Sequence, residues 1–460
     1  MAWLAAASLA ASVAVACGGS SSTSPHGDAG GSDATTDAHE DATGADGAGT
    51  DGASDGGVPV EAEAAPPPFK PAAHTLPKIP NNGGPVFASP TLVTITYADD
   101  GERQYDEDLG KYLVTSPWLA AVGKEYGVGL GKQEVVELGA SPATIDDVAI
   151  QALILSLIQS KKAPDPDGGA PVPPPLVDDA GDDADAADDA AGPGADASAS
   201  DAGGATTGDA GLVLMPPVVY MIYFPPSTSV TFDGLDLCTA TGGGYHSQLA
   251  ETFDGQTFAY AVVSACPAQG EIEELLQLVT SHELIEACTD PAQSDPAYDL
   301  NTPTNVWYAV GGEVGDLCAL NDPQWSEGPY TNISRVYSNA SAADGGVPCL
   351  PSPEPYYGTD VEPHTFVTLP AGESATFNVT GWSSAPVADW MITPTPYISS
   401  PSSFVPTAVL GAATLNNGGK TVLTVTVPPG TPSSSYALIL VQSYQSQTDY
   451  TSALVGVLVQ

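Results

Sequence analysis

The stretch of this chain best equipped for chemistry is SHELIEACTDP, residues 281–291. It matches the two-histidine zinc motif H-E-x-x-H except at the last position, where Glu286 stands in place of the second histidine. On a helix, His282 and Glu286 lie four residues apart and share one face. Leu275 and Val279 continue that face toward the N-terminus, so the pair should end an apolar, inward-facing stripe. A carboxylate buried there is costly unless it is paired or binds a metal. Glu283 points about 100° away from His282, where in such motifs the glutamate is the general base.

A catalytic zinc takes three protein ligands and keeps one open position. His282 and Glu286 supply two. Of the six histidines, His26 and His39 lie in a low-complexity N-terminal segment, His74 at its edge and His364 in a strand-rich C-terminal part. His246, in GGGYHSQ, remains as a ligand or as a hydrogen-bonded structural histidine. The carboxylate candidates are Asp290, just after the helix, and Glu313 and Asp316 in GGEVGDLC. Several carboxylates on one ion lower its Lewis acidity and make Ca²⁺ or Mn²⁺ acceptable beside Zn²⁺, because hard cations prefer oxygen. The competing account of the pattern is an exposed acidic helix turn.

The elements that must position these residues are legible from periodicity. GEIEELLQLVTSHELIEAC, residues 270–288, has the strongest helical pattern in the chain. TFAYAVVS at 257–264 reads as a buried strand, and SPTLVTITYADD at 89–100 alternates Leu92, Thr94, Thr96 against Val93, Ile95, Tyr97. LVLMPPVVYMIYF also has strand character, and SPWLAAVGKEYGVG is helix-like. ATIDDVAIQALILSLIQSKK predicts one helix capped by Thr144, with Val148, Leu153, Ile154, Leu157 and Ile158 as its apolar stripe. From about residue 355 short alternating strands recur between Gly, Pro and Asn turns, with NNGG at 416–419 as a hairpin signal. This spacing predicts an immunoglobulin-like β-sandwich over 355–460.

Two segments lack the side chains needed to offset the entropy of ordering. Residues 18–75 form a tether rich in Ala, Gly, Asp, Ser and Pro, and 163–211 form an acidic spacer read as a disordered insertion in the preceding domain. The low-complexity stretches 18–66 and 163–211 hold 22 of the 56 acidic residues, so the rest, with 34 acids against ten bases, is itself strongly acidic. That balance argues against nucleic acid and anionic lipid as partners, since both demand basic patches.

MAWLAAASLAASVAVAC is too short to span a bilayer, which takes roughly 20 apolar residues, and reads as an export signal over 1–17. AVAC followed by GGSSS resembles a bacterial lipoprotein processing site, with Cys17 lipidated; plain secretion with cleavage after Ala16 is the alternative. Either way the chain leaves the cytoplasm, and its contact with membrane is expected only through the anchor. Five cysteines remain, Cys238, Cys266, Cys288, Cys318 and Cys349; export favours disulfides, and an odd count leaves one thiol over.

SHELIEACTDP followed by NVWYAVGGEVGDLC resembles exported bacterial proteins related to the plant phosphate-induced, exordium-like family. GGGYHSQ, FAYAVVSAC, RVYSNASAADGGVPC, SPWLAAVGKEYGVGLG and TFNVTGWSSAPVADWMIT extend the resemblance over most of residues 89–460 outside the spacer. It implies a secreted or wall-associated protein with an appended sandwich, and a scaffold that in some plant relatives serves without the HE-x-x-E residues. It also implies that Cys288 is the odd thiol, with Cys238 bonded to Cys266 and Cys318 to Cys349. A Cys288–Cys318 bond across the site is the alternative.

The resulting expectation is an α/β (or α+β) zincin-like domain over 76–351, followed by the sandwich. His282, Glu286 and one of Asp316, Glu313 or His246 would hold Zn²⁺, with Asp316 favoured because Cys318 would fix its segment. Glu283 would deprotonate water, and Tyr245 or Tyr308 would stabilise the oxyanion. Arg335, one of two arginines, is expected to pair with a structural carboxylate. The function expected is hydrolysis of a peptide, or of another cell-surface polymer. The alternative is a surface binding or signalling protein whose metal is structural or absent.

Overall fold

The computed structural model describes residues 68–160 and 216–460, apart from 241, 321–323, 353–354, 401–403 and 447–449. The segment expected to be an export signal, with Cys17, nearly all of the expected tether and the acidic spacer lie outside the described residues.

The alternation at 91–97 sets the layers of the α/β part. Strand β1 (Thr91–Tyr97) sends Leu92 to one face of the sheet and Val93, Ile95 and Tyr97 to the other, all of them buried. It is followed by helices α1 (Arg103–Thr115) and α2 (Pro117–Val122). Helix α2 starts at Ser116, whose hydroxyl accepts the Leu119 N–H, and has proline in its first turn. Strand β2 (Lys132–Leu138), helix α3 (Asp147–Ser160), strands β3 (Val218–Phe224), β4 (Gly244–Gln248) and β5 (Ala259–Ser264) and helix α4 (Ile272–Thr289) complete this part. The sheet order is β2-β1-β3-β5-β4, with every pairing parallel except β4 with β5. α1, α2 and α4 cover one face and α3 the other, as a mostly parallel sheet requires.

Helix α3 departs from its expected form. Residues Thr144–Asp146 form a short strand, and the Asp146 carboxylate, not Thr144, accepts the Ala149 N–H. Val148 is 75% exposed, and the buried stripe runs Ile150, Ile154, Leu157 and Ile158. Starting the helix two residues later fixes which side chains meet the sheet.

The C-terminal part is β-rich. Strands β6 (Tyr357–Glu362), β7 (Val367–Leu369), β8 (Ser374–Ser383), β9 (Trp390–Ser400), β10 (Thr407–Leu410), β11 (Thr414–Leu415), β12 (Lys420–Thr426), β13 (Tyr436–Tyr444) and β14 (Tyr450–Val459) form two sheets. Their orders are β6-β8-β12-β10 and β7-β14-β13-β9-β11, and Phe377, Trp390, Leu423, Ile439 and Val455 belong to their common core. NNGG does make a turn, with Gly418 at φ +83 and the Gly419 N–H on the Asn416 carbonyl. It joins β11 to β12, which lie in different sheets, so it is a crossover instead of a hairpin.

Leu438, Leu440 and Leu454 face away from that core and join the apolar cluster of the α/β part. The chain before β1 is also docked: the Ala72 N–H donates to Asn417 and the Thr75 N–H to Asp360, and His74 stacks on Trp382 at 3.9 Å. Ordered chain therefore begins ahead of the expected boundary at 76. From Lys70 to Gln460 the described residues belong to one compact unit. Among them no helix is long and apolar enough to cross a membrane.

Candidate metal centre

Helix α4 is buried on more than the one expected stripe. Every residue from Leu275 to Thr289 is buried except His282, which is half-buried. The extra cover comes partly from the strand Tyr330–Ser334, whose backbone N–H groups at Thr331 and Asn332 donate to Gln277 and at Ser334 to the Ser281 hydroxyl.

His282 Nε2 stands 3.2 Å from Glu286 Oε2 and 3.7 Å from Asp316 Oδ1. From β4, His246 places Nδ1 at 3.2 Å from Glu283 Oε2 and 3.7 Å from Glu286 Oε2, and Nε2 at 3.5 Å from Glu313 Oε2. His282, Glu286, Asp316, Glu313 and His246 thus converge on one place, with Glu283 beside them. The loop that brings in Glu313 and Asp316 is fixed from both sides. Glu286 Oε1 accepts the Gly315 and Asp316 N–H groups at 3.0 and 3.1 Å, and Asp316 Oδ2 accepts the Glu313 N–H at 3.1 Å.

The glycines of GGEVGD are steric requirements. A Cβ on Gly315 would stand 2.7 Å from both Glu286 Oε1 and His282 Nδ1. Gly311 has φ +111, and a Cβ there would lie 1.8 Å from Asp316 Oδ2. Disulfides close the neighbouring segments, Cys318–Cys349 behind the loop and Cys238–Cys266 joining the chain just before β4 to the chain just after β5. Cys288 is the free, buried thiol. These are the pairings the resemblance implied.

Six carboxylates crowd two imidazoles: Glu283, Glu286, Asp290, Asp299, Glu313 and Asp316. Burial pushes Glu313 and Asp316 well above the usual carboxylate range, and the Glu286 charge adds to it. Burial also raises Asp290 to about 6 and Asp299 to about 7. Burial opposes charging His282, yet the Glu286 carboxylate outweighs it and holds the imidazole at about 10. His246 is likewise raised, against its burial, by its hydrogen bond to Glu283 and the Glu286 charge. Glu286 is lowered despite burial, chiefly by His282. With protons alone, the cluster must keep some carboxyls neutral; a divalent cation would let them ionise together.

The donor set suits such a cation. Two donors each about 2.1 Å from a tetrahedral ion stand about 3.4 Å apart, and the contacts of 3.2, 3.5 and 3.7 Å bracket that value. His246 Nε2 is a buried ring nitrogen with no hydrogen-bond partner, which a ligating position would satisfy.

Three further residues singled out in the sequence have defined places. Tyr245 precedes His246 on a strand, so it points to the opposite face of the sheet; its hydroxyl donates to Asp147 at 2.6 Å, on the α3 side. The structure therefore does not bring it to the centre. Tyr308 lies half-buried on the 3₁₀ turn Val306–Val310, ahead of the glycine loop. Arg335 is buried and donates to the backbone carbonyls of Pro351 and Cys349, beside the second disulfide. Asp299, in PAYDL, was missed; it reaches the acidic cluster only because the segment after α4 folds back, and periodicity carries no sign of that.

No protein-family model and no curated protein matches the chain. Among solved structures, it is similar to the surface-layer protein SbsC at 17% identity and TM-score 0.18, over 23% of this chain and 13% of that one. WR4, an MSP family member of C. elegans, is 15% identical over 22% of this chain and 97% of its own, TM-score 0.17. The secreted serine protease VesC from Vibrio cholerae is 14% identical over 23% of each chain, TM-score 0.16. Likenesses of this size define neither the fold nor the activity of the chain.

Proposed function

We propose that the protein is an exported, cell-surface metal-dependent hydrolase acting on peptide bonds. In this reading residues 76–351 form a zincin-like domain, the C-terminal sheets an immunoglobulin-like sandwich, and Cys17 the lipid anchor. One observation carries it: two imidazoles and four glutamates and aspartates within contact distance, with His246 Nε2 lacking any hydrogen bond. His282, Glu286 and Asp316 hold the cation, zinc first, with manganese or calcium accepted by the oxygen donors. When bound, such an ion supplies Lewis acidity. Glu283 takes up the proton released by water, and Glu286, tied to two backbone N–H groups, keeps the donors in register. Two disulfides favour an oxidising compartment. The exordium-like resemblance supports export and leaves the chemistry to these residues.

A second reading has its own support. The side chains of His282, Asp316 and Glu313 are only 14, 12 and 16% exposed, so a bound ion could hold the fold of a surface binding protein without meeting substrate. Purified protein assayed for metal content and for cleavage of a peptide library separates the two. Stoichiometric zinc with chelator-sensitive cleavage, lost in Glu283→Gln, is the expected result. Metal without turnover would favour the binding protein, and a protein that binds no metal would end the hydrolase reading.

A further inference from the structure

We infer that the centre holds two divalent cations, one on each side of Glu286. This rests on the metal-centre reading above and extends it in number and in the use made of His246. The donors divide into His282–Glu286–Asp316 and His246–Glu286–Glu313, and within each group one donor atom per residue lies within 4.8 Å of the others. Glu286 is the one member common to both. Its Oε1 is fixed by the Gly315 and Asp316 N–H groups, so the carboxylate cannot turn. Its Oε2 is held between the two imidazoles, 3.2 Å from His282 Nε2 and 3.7 Å from His246 Nδ1.

An observation independent of the carboxylates points to the second position. The His246 side chain is 5% exposed, and its Nδ1 is engaged by Glu283 Oε2 at 3.2 Å. An imidazole that donates Nδ1–H to a carboxylate presents a lone pair at Nε2, the arrangement of a metal-ligating histidine oriented by a neighbouring carboxylate. Here Nε2 has no hydrogen-bond partner and faces Glu313 Oε2 at 3.5 Å. A lone pair opposite a carboxyl oxygen needs something positive between them, a proton in the metal-free protein or a cation when one is bound. The separation is long for a charge-assisted hydrogen bond and close to the ~3.4 Å between two donors on one tetrahedral ion. One imidazole and two carboxylates at each position suit a first-row divalent ion such as Zn²⁺ or Mn²⁺.

The test is metal stoichiometry of the full chain, stripped by chelator and titrated with Zn²⁺, then with Co²⁺ for its spectra. Two equivalents per chain are expected, falling to one in His246→Ala and in Glu313→Gln, with the remaining ion lost only on adding His282→Ala. Two Co²⁺ ions sharing Glu286 should show spin coupling that Glu313→Gln abolishes. One equivalent in the unaltered protein, removed by His282→Ala and untouched by His246→Ala, would overturn the second position and leave the single-metal reading standing. One equivalent that either histidine variant removes overturns it as well, because the donors would then serve a single ion. No bound metal would overturn both readings. The unaltered protein alone decides the number, so a variant that fails to fold leaves the test intact.

Discussion

His282 Nε2 lies 3.2 Å from Glu286 Oε2, one helical turn further along the same helix, and both face a loop from more than 25 residues downstream. Glu286 thus works in two directions: one oxygen receives the loop backbone and the other meets the imidazole. Replacing it by a second histidine would lose the loop contact.

His282→Ala removes one ligand of the first position and should weaken Zn²⁺ binding by at least about a hundredfold, the upper range seen even for residues that only support ligands. Competition against a chromogenic chelator measures it. Unchanged affinity would remove His282 from the centre.

Gly315→Ala tests the close approach of loop and helix. Its Cβ would press on Glu286 Oε1 and His282 Nδ1, so the loop must lift and both carboxylate contacts lengthen. Metal affinity should fall sharply while far-UV circular dichroism stays unchanged. Retained affinity would show that the loop can shift without cost.

The metal-free protein should lose stability as pH rises. The folded-state pKa of His282, about 10, lies above its ordinary 6.5, so its contribution is complete below about pH 6.5 and lost through about 10. Asp290 and Asp299 are raised from 3.8 to about 6 and about 7; folding favours their protonated forms, and stability falls as pH climbs from about 4 to 7. Glu286, lowered from 4.5, acts oppositely and only as pH falls through the acid range. Urea midpoints at pH 5.5, 7 and 8.5 on stripped protein should therefore decline. Added Zn²⁺ should reverse the trend, because its ligands bind deprotonated.

Loss of the Cys318–Cys349 bond, with a separation of 31 residues, should cost about 3–4 kcal/mol by loop-closure entropy. Cys318→Ser should also lower metal affinity, because Asp316 lies two residues away. The Cys238–Cys266 bond has a similar separation of 28 but lies farther along the chain from any ligand than Cys318 does from Asp316, so Cys238→Ser should lower stability with a smaller effect on metal affinity. Denaturant midpoints and metal titrations on the two variants compare the effects.

Tyr245→Phe leaves Asp147 with the Tyr260 hydroxyl and removes one buried hydrogen bond. A loss of about 1–2 kcal/mol is expected, with metal affinity and any hydrolysis unchanged. A large activity loss at unchanged stability would restore Tyr245 to the centre.

Local rules determined much of this protein. Alternation at 91–97 fixed a strand buried on both faces, and the 3.6-residue period at 270–288 fixed the helix that puts His282 and Glu286 on one face. Composition marked the tether and spacer as unlike the rest. What the sequence left open were relations between distant segments. Thr144 was the expected cap, but Asp146 caps the helix, which starts where Ile150 and Ile154 are buried against the sheet. NNGG had turn chemistry in either role, and only its flanking strands made it a crossover between sheets. His246, Glu313 and Asp316 were each a candidate third ligand by residue type. Their arrangement on both sides of Glu286 depends on an antiparallel edge strand and a glycine loop meeting one helix. No local periodicity records that meeting, because the close contacts and buried charges that fix it form only when the chain has folded.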